Sequence, residues 1–169
     1  MKHCYLIGGT MGVGKTTVCQ LLKQKLPNAV FLDGDWCWDA DPFHVTEETK
    51  AMVEDNICHL LNNFLICSAY DNVIFCWVMH QQKIIDDICS HLNLEGVQLH
   101  CISLTCNEMT LRQRLEKDIA AGIRQPDIVK RSLERLPLYE ELRTEKIETS
   151  AKNPEEVAAF LVKMQDLPC

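Results

Sequence analysis

Residues Gly9-Thr10-Met11-Gly12-Val13-Gly14-Lys15-Thr16 match the pattern G-x-x-x-x-G-K-[ST] in full. An apolar segment, His3–Gly8, precedes them, and a helical pattern, Lys15–Leu26, follows. The glycines admit positive φ and leave no Cβ in the way, so that successive backbone N–H groups can turn inward around a phosphate. The start of the helix adds unpaired donors and partial positive charge. The sequence therefore predicts a phosphate-binding loop between a strand and a helix.

The loop also predicts what is bound. The Lys15 ammonium can reach the outer phosphates, and the Thr16 hydroxyl can bind Mg²⁺. The residues expected to contact the nucleotide here are Gly9, Thr10, Met11, Gly12, Val13, Gly14, Lys15, Thr16 and Thr17. The pattern indicates a nucleoside triphosphate but no particular reaction, because motors, switches, transporter subunits and kinases share it. The alternative is a glycine-rich turn that matches by chance.

Short apolar segments alternate with helical patterns along the rest of the chain. The predicted strands are His3–Gly8, Ala29–Asp33, Asn72–Met79, Gln98–Thr105 and Lys146–Thr149. The predicted helices are Lys15–Leu26, Thr46–Ala69, Gln81–Leu92, Asn107–Ala120, Asp127–Leu142 and one that opens at Asn153-Pro154. Pro137 should end or kink the fifth of these helices. The strands are apolar throughout, which is typical of a parallel sheet covered on both faces, and the alternation predicts an α/β fold.

Length and composition limit the class of protein. The chain has 169 residues, of which 47% are hydrophobic and 24% are charged, as expected of one globular domain over residues 1–169. Its 17 Lys and Arg against 24 Asp and Glu give a net charge of −7, which disfavours a general nucleic-acid binder. No apolar run is long enough to predict a membrane span. The ten cysteines show no C-x-x-C spacing, and a reduced, cytoplasmic protein is expected, with Cys169 as an unpartnered terminal thiol.

Two carboxylates follow the second predicted strand, in Phe31-Leu32-Asp33-Gly34-Asp35-Trp36. In extended backbone, Asp33 and Asp35 would share one side of the strand. The carboxyl end of a parallel strand borders the crevice in which such sheets bind ligands. One carboxylate could then serve the water shell of Mg²⁺, and the other could accept a hydrogen bond from an acceptor hydroxyl. Alternatively, Asp33-Gly34-Asp35 is simply a turn, since Asp and Gly favour turns.

Five of the six arginines lie in one basic window of this acidic chain. They are Arg112, Arg114, Arg124, Arg131 and Arg135. Guanidinium groups can stabilise the charge on a transferring phosphoryl group. The alternative is a set of solvated helix faces with i,i+4 ion pairs, such as Arg114 with Asp118.

Together, the order of these motifs resembles the small P-loop kinases of the shikimate, gluconate and nucleoside-monophosphate kinase group. The Asp33-Gly34-Asp35 element looks like their D-x-D element, Leu111–Leu115 with Gly122-Ile123-Arg124 like their lid region, and Lys146–Val157 like their last strand, adenine-side loop and final helix. The resemblance implies a three-layer P-loop NTPase fold with a five-stranded parallel sheet, helices on both faces, and a small lid over about residues 112–135.

The resemblance also implies an activity, the transfer of the γ-phosphate of ATP to a hydroxyl of a small molecule. It assigns Lys15 to the phosphates, Thr16 and Asp33 to Mg²⁺, and Asp35 to the acceptor as a base-like group. Arg114 or Arg124 would close on the transferring phosphoryl group. Ser150 and Lys152 would lie beside the adenine.

Two departures from the family pattern bear on these roles. Many relatives carry a second arginine where this chain has Asp118, so the source of the lid charge stays open. The third strand, Asn72–Met79, lacks an acidic residue at its carboxyl end, which disfavours a motor or a hydrolytic switch. A nucleotide-dependent hydrolase or switch remains the main alternative, and a nucleotide-binding module without catalysis is the second.

The segment after the two carboxylates, Trp36–His44, holds two Trp, one Phe and one His. It could form a pocket for a flat or apolar acceptor, or it could pack a helix against the sheet. Residues His80–Lys83 could also face the acceptor, although a helix cap is the plainer interpretation. Residues 33–70 contain Lys50 as their only Lys and no Arg, which favours an uncharged acceptor. The identity of the acceptor, the choice between ATP and GTP, and the oligomeric state stay open.

Overall fold

The computed structural model describes residues 1–166, and Cys169 lies outside them. Five strands alternate with six α-helices. The strands are β1 (Lys2–Gly8), β2 (Ala29–Asp33), β3 (Asn72–Cys76), β4 (Val97–Thr105) and β5 (Glu145–Glu148). The helices are α1 (Lys15–Lys25), α2 (Glu47–Ile66), α3 (Gln82–His91), α4 (Glu108–Ala120), α5 (Ile128–Arg135) and α6 (Pro154–Lys163). Short 3₁₀ helices cover Gly34–Cys37, Leu136–Glu141 and Met164–Asp166.

The five strands form one parallel sheet in the order β2-β3-β1-β4-β5. This confirms the predicted fold class and sheet. Strand β1 is central, and β3 separates it from β2. In register, Cys76 of β3 pairs with Ile7 of β1 on one side and with Asp33 of β2 on the other. The phosphate-loop motif and the two carboxylates therefore start from the same edge of the sheet, one strand apart.

Helices cover both faces of the sheet because its central strands are apolar on both sides. Along β1, Cys4 and Leu6 belong to the core that α2 and α3 complete, whereas Tyr5 and Ile7 belong to the core shared with α1, α4 and α6. All four side chains are buried. The result is three layers, with helices, sheet and helices in succession.

Two predicted boundaries were wrong for local reasons. Strand β3 ends at Cys76 rather than Met79, and Met79 takes a positive φ of 39° that no strand accommodates. The helix predicted over Asp127–Leu142 ends at Arg135, and the chain continues as a 3₁₀ helix with Pro137 at its start. The expectation that this proline ends the helix is thus confirmed.

Side-chain caps fix the helices that border the site. The Asn107 side chain accepts the backbone N–H of Thr110 at the start of α4. At α6, Asn153 and Glu156 form a reciprocal capping box in which each side chain accepts the other's backbone N–H. Among residues 1–166, no helix combines the length and apolar character that crossing a membrane requires. The nine cysteines within this range are free thiols.

Candidate functional site

The phosphate-loop motif joins β1 to α1 and packs tightly on α4. Gly12 and Gly14 have φ values of 86° and 104°, which favour glycine. A Cβ on Gly12 would lie 2.5 Å from the Leu115 Cδ2 atom, so the backbone comes as close to α4 as a residue without a side chain allows. The loop therefore owes its shape to glycine and its position to Leu115, a buried leucine of α4.

Gly12→Ala should lower both stability and nucleotide affinity. The positive φ costs about 1–2 kcal/mol for a residue with a Cβ, and the overlap with Leu115 adds about 1–3 kcal/mol. Gly96→Ala is the matched control, because Gly96 has a φ of 69° with no atom within 4 Å of an added Cβ. Thermal unfolding and ATP titration would measure both variants. Equal loss of stability in the two would contradict the contact between the loop and α4.

The Lys15 side chain folds over the loop. Its Nζ atom donates to the carbonyl oxygens of Gly9, at 2.8 Å, and Thr10, at 3.2 Å. Burial lowers the pKa of Lys15, and the nearby Cys76, Asp35 and Asp33 act in the opposite direction. The ammonium group thus lies between the loop and the two carboxylates, where it can meet a phosphate.

The Thr16 and Asp33 side chains contact each other directly. Thr16 lines the cleft described below, whereas Asp33 and Asp35 do not. The Thr16 Oγ1 atom donates to Asp33 Oδ2 at 2.8 Å, and Asp33 is only 7% exposed. The other carboxylate oxygen, Oδ1, accepts the backbone N–H of Asp35 at 3.1 Å. Mg²⁺ keeps several waters and needs one or two oxygen ligands from the protein. A hydroxyl in contact with a nearly buried carboxylate fits that requirement.

Asp35 lies in the first turn of the 3₁₀ helix Gly34–Cys37, for which Asp33 is the N-cap. Although the residue is exposed, partial desolvation of its carboxyl group raises its pKa, and the charge of Asp33 acts in the same direction. Lys15, the Trp77 side chain and Arg124 oppose that rise. A carboxylate whose pKa is raised toward neutrality is better suited to take a proton than an ordinary aspartate.

A cleft of about 450 Å³ opens on the outer side of the loop. Its walls are Gly12, Val13, Gly14, Lys15, Thr16, Thr17, Val18, Arg114, Lys117, Asp118, Arg124, Thr149, Lys152, Pro154 and Val157. These residues come from the loop, from α1, from α4 and the turn after it, and from the segment after β5. Most of the predicted nucleotide contacts therefore meet in one cavity.

Arg114 ties two walls of this cleft together. Its Nη1 atom donates to the Val13 carbonyl and to Thr149 Oγ1, both at 3.1 Å, and its Nη2 atom donates to the Thr149 carbonyl at 3.0 Å. The Thr149 hydroxyl in turn donates to the Thr105 carbonyl at 3.0 Å. The guanidinium thus fixes the phosphate loop against the end of β5.

Arg124 stands at the cleft from the turn after α4. Its Nε atom donates to Asp118 Oδ2 at 3.0 Å. The i,i+4 alternative predicted a pair between Asp118 and Arg114, but Asp118 pairs with Arg124 instead. The charge of Arg124 also lowers the pKa of Asp35, which places this arginine within electrostatic reach of the carboxylates.

Some predicted residues have other partners. Gly9, Thr10 and Met11 do not line the cleft, and the Thr10 hydroxyl donates to the Ser132 carbonyl at 2.9 Å. The Ser150 hydroxyl accepts the Asn107 backbone N–H at 2.8 Å and also bonds Glu148. Lys152 lines the cleft and donates to the Glu148 carbonyl at 3.0 Å.

Six cleft residues were not among the predicted site residues: Val18, Lys117, Asp118, Thr149, Pro154 and Val157. Lys117 follows Arg114 by three positions on one helix, so helical spacing alone could have indicated it. Pro154 and Val157 belong to the first turns of α6, and only the packing of α6 against α1 brings them to the cleft.

In the aromatic segment, the structure shows packing for Trp38, and the acceptor pocket stays a prediction. Trp38 is half-buried against the α2 side of the core, and its ring packs on Phe43 at an interplanar angle of 37°, with centroids 4.5 Å apart. Trp36 and Phe43 stay exposed, at 58% and 57%, with Trp36 edge-on to Phe31. Lys50 forms an ion pair with Glu47 at 2.8 Å.

His80 and Arg135 lie together past the end of β3. Burial lowers the pKa of His80, and the charge of Arg135 lowers it further. Within residues 1–166, Arg135 forms no ion pair with a carboxylate, whereas three of the other five arginines do, namely Arg124, Arg131 and Arg143.

Comparisons with known proteins agree with this geometry. A family model described as an AAA domain matches residues 6–133. The fold is similar to the Deinococcus radiodurans tunicamycin resistance protein, with a TM-score of 0.76 and 20% identity over 99% of this chain and 98% of that chain. A gluconokinase from Sinorhizobium meliloti gives a TM-score of 0.67 and 18% identity over 97% and 94%.

A shikimate kinase from Acinetobacter baumannii, solved with shikimate, gives a TM-score of 0.61 and 20% identity over 98% and 93%. No curated protein matches the sequence. The resemblance to the small P-loop kinases is confirmed at the level of fold.

Proposed function

The chain belongs to the AAA domain family, and from that premise we propose that it is an ATP-dependent phosphotransferase that moves the γ-phosphate to a hydroxyl of a small molecule. The observation that carries the proposal is the contact of Thr16 with Asp33, which places Asp35 beside the phosphate loop and within the electrostatic reach of Lys15. Phosphoryl transfer needs a clamped phosphate, neutralised charge and an acceptor held in line, and these residues can supply all three.

The proposed reaction divides the work among these side chains. The loop amides and Lys15 hold the β- and γ-phosphates. Thr16 and, through water, Asp33 would hold Mg²⁺, which supplies positive charge at those phosphates when bound. Asp35 accepts the proton of the acceptor hydroxyl while the hydroxyl oxygen forms a bond to the γ-phosphorus. The bond from that phosphorus to the bridging oxygen breaks, ADP leaves, and the proton remains on Asp35.

We assign the lid charge to Arg124 in preference to Arg114. The Arg114 guanidinium already donates three hydrogen bonds to the loop and to Thr149, so its part is to fix the cleft. Arg124 has a single hydrogen-bond partner, Asp118, and its positive charge acts to lower the pKa of Asp35. A guanidinium in that place can stabilise the charge on the transferring phosphoryl group.

The acceptor side favours a molecule with a flat or apolar part. Trp36, which follows Asp35 in the chain, and Phe43 expose large rings, and the single Lys or Arg of residues 33–70, Lys50, is already paired with Glu47. An uncharged alcohol fits this surface. An anionic acceptor would instead need Arg135 beside His80. We further propose a cytoplasmic location, in keeping with the free thiols, and no nucleic-acid partner.

Coupled ADP release with Mg-ATP and a panel of acceptors tests the function. The panel holds nucleosides, nucleotides, sugar acids, shikimate and aminoglycoside- or phenicol-like alcohols. We expect one class to raise the rate at least tenfold over the background, and Mg²⁺ chelation to abolish the rise. A steady nucleotide turnover that no acceptor changes would favour the hydrolase alternative, and ATP binding with no turnover would favour a binding module.

A further inference from the structure

Trp77 stands between the phosphate loop and the two carboxylates. It directly follows Cys76, which pairs in register with Ile7 of β1 and with Asp33 of β2. The Trp77 backbone N–H continues that pairing by donating to the Ile7 carbonyl at 3.2 Å. The side chain is half-buried and packs on the core that α2 and α3 complete. Its backbone is thus fixed at the centre of the proposed site.

The Trp77 ring lies against Gly34, the residue between the two carboxylates. A Cβ on Gly34 would come within 2.6 Å of the Trp77 Cγ atom and 2.7 Å of its Cδ1 atom. Gly34 has no positive φ, so its backbone conformation is open to other residues. Glycine is therefore required at position 34 by the close approach of the indole ring and not by the backbone conformation.

The indole also reaches the next residue. The Trp77 side chain lies close enough to the Asp35 carboxyl group to oppose the rise in its pKa. An indole nitrogen can only donate, so in a hydrogen bond between them the carboxylate would accept. The Asp35 backbone N–H is held by Asp33, and the indole N–H of Trp77 is the nearby donor that could fix the Asp35 side chain. The segment that carries the acceptor-side carboxylate is anchored to the central sheet through this ring.

We propose that Trp77 is a positioning residue for Asp35, whose indole N–H occupies one carboxylate oxygen and leaves the other free for the acceptor hydroxyl. The proposal rests on the proposed function in the role that it gives Asp35. Gly34 belongs to the same device, since any larger side chain there would push the ring away. Holding a base within hydrogen-bond reach of its proton is a condition for efficient transfer.

A spectroscopic experiment tests the hydrogen bond without any activity. The chain has three Trp residues and so gives three indole N–H signals in a ¹⁵N-labelled sample. Trp77→Phe identifies the signal of Trp77. Asp35→Ala should move that signal by at least 0.3 ppm in the proton dimension and speed its exchange with water about tenfold, whereas Asp39→Ala should leave it in place. If Asp35→Ala changes neither the proton shift of the Trp77 indole signal nor its exchange rate with water, the proposal is overturned.

Kinetics with the acceptor found in the panel then test the consequence. Trp77→Phe keeps an aromatic ring but removes the donor, and we expect kcat to fall about tenfold with the KM for ATP within twofold of the wild type. Tyr70→Phe is the matched control, because it removes one donor from a half-buried ring at the opposite end of β3, and it should leave kcat within twofold. Gly34→Ala, which displaces the ring and keeps its chemistry, should reproduce the fall in kcat.

The two arms separate the possible failures. A wild-type protein that transfers phosphate to no acceptor contradicts the proposed function, and the indole signal still decides whether Trp77 holds Asp35. A wild-type protein that transfers phosphate, with kcat unchanged in Trp77→Phe and Gly34→Ala, overturns the positioning role alone.

Discussion

Lys15→Ala should lower the rate of phosphate transfer roughly 10²- to 10³-fold, the loss typical of removing one preorganised charge donor from a reacting centre. The Lys15 ammonium donates to two carbonyl oxygens of the loop, and the negative charges of Asp33 and Asp35 act to raise its pKa. Among residues 1–166, no other cation occupies the place of the Lys15 ammonium. Arg124 or Lys117, which also line the cleft, would have to move to replace it. Coupled ADP release would measure the loss.

The fold should survive this change. Lys15 makes its two hydrogen bonds to carbonyls at the mouth of the cleft, and the adjacent core residues Val18 and Leu22 of α1 remain buried. Lys23→Ala removes the same charge from the last turn of the same helix and serves as the control. Circular dichroism and thermal unfolding would verify that both variants fold. Turnover of Lys15→Ala within twofold of the wild type would refute the assignment of the loop to phosphates.

Asp35→Asn should abolish most of the transfer, by about 10²- to 10⁴-fold, and should keep ATP binding. An amide cannot take the acceptor proton, although it can still occupy the same space. The pKa of Asp35 is raised by desolvation and by Asp33, so its ionised form opposes folding near neutral pH. The neutral amide removes that penalty, and the variant should therefore unfold at no lower temperature than the wild type.

The control for this variant is Asp39→Asn, an exposed carboxylate on the same segment. It should leave transfer and ATP affinity within twofold of the wild type. Isothermal titration with ATP and coupled ADP release would separate binding from transfer in both variants. Unchanged transfer in Asp35→Asn would move the base to another residue, and lost ATP binding would place Asp35 on the nucleotide.

The sequence was sufficient for features that depend on local pattern. The loop pattern, the apolar strands and the caps at Asn107 and Asn153 each follow from residues close together in the chain, and the structure has them where they were expected. The D-x-D element is also local, and its contact with Thr16 follows once the sheet is parallel.

Other features depend on which elements meet, and the sequence could not provide that. Thr149 enters the cleft because Arg114 binds it, and Trp77 lies on Gly34 because β3 inserts between β1 and β2. Ser150 was expected beside the adenine, yet its hydroxyl is used by Asn107 and Glu148. Each of these outcomes is decided by tertiary packing, which no spacing of residue types records.

The Arg114 clamp also has a consequence for biosynthesis. It joins Val13, Arg114 and Thr149, which leave the ribosome at widely separated times. The phosphate loop emerges first, but one wall of its cleft is made only when β5 and the residues after it have been translated. A nascent chain thus carries the loop long before it carries the binding site. ATP, by binding the finished cleft, favours the complete fold over every shorter intermediate.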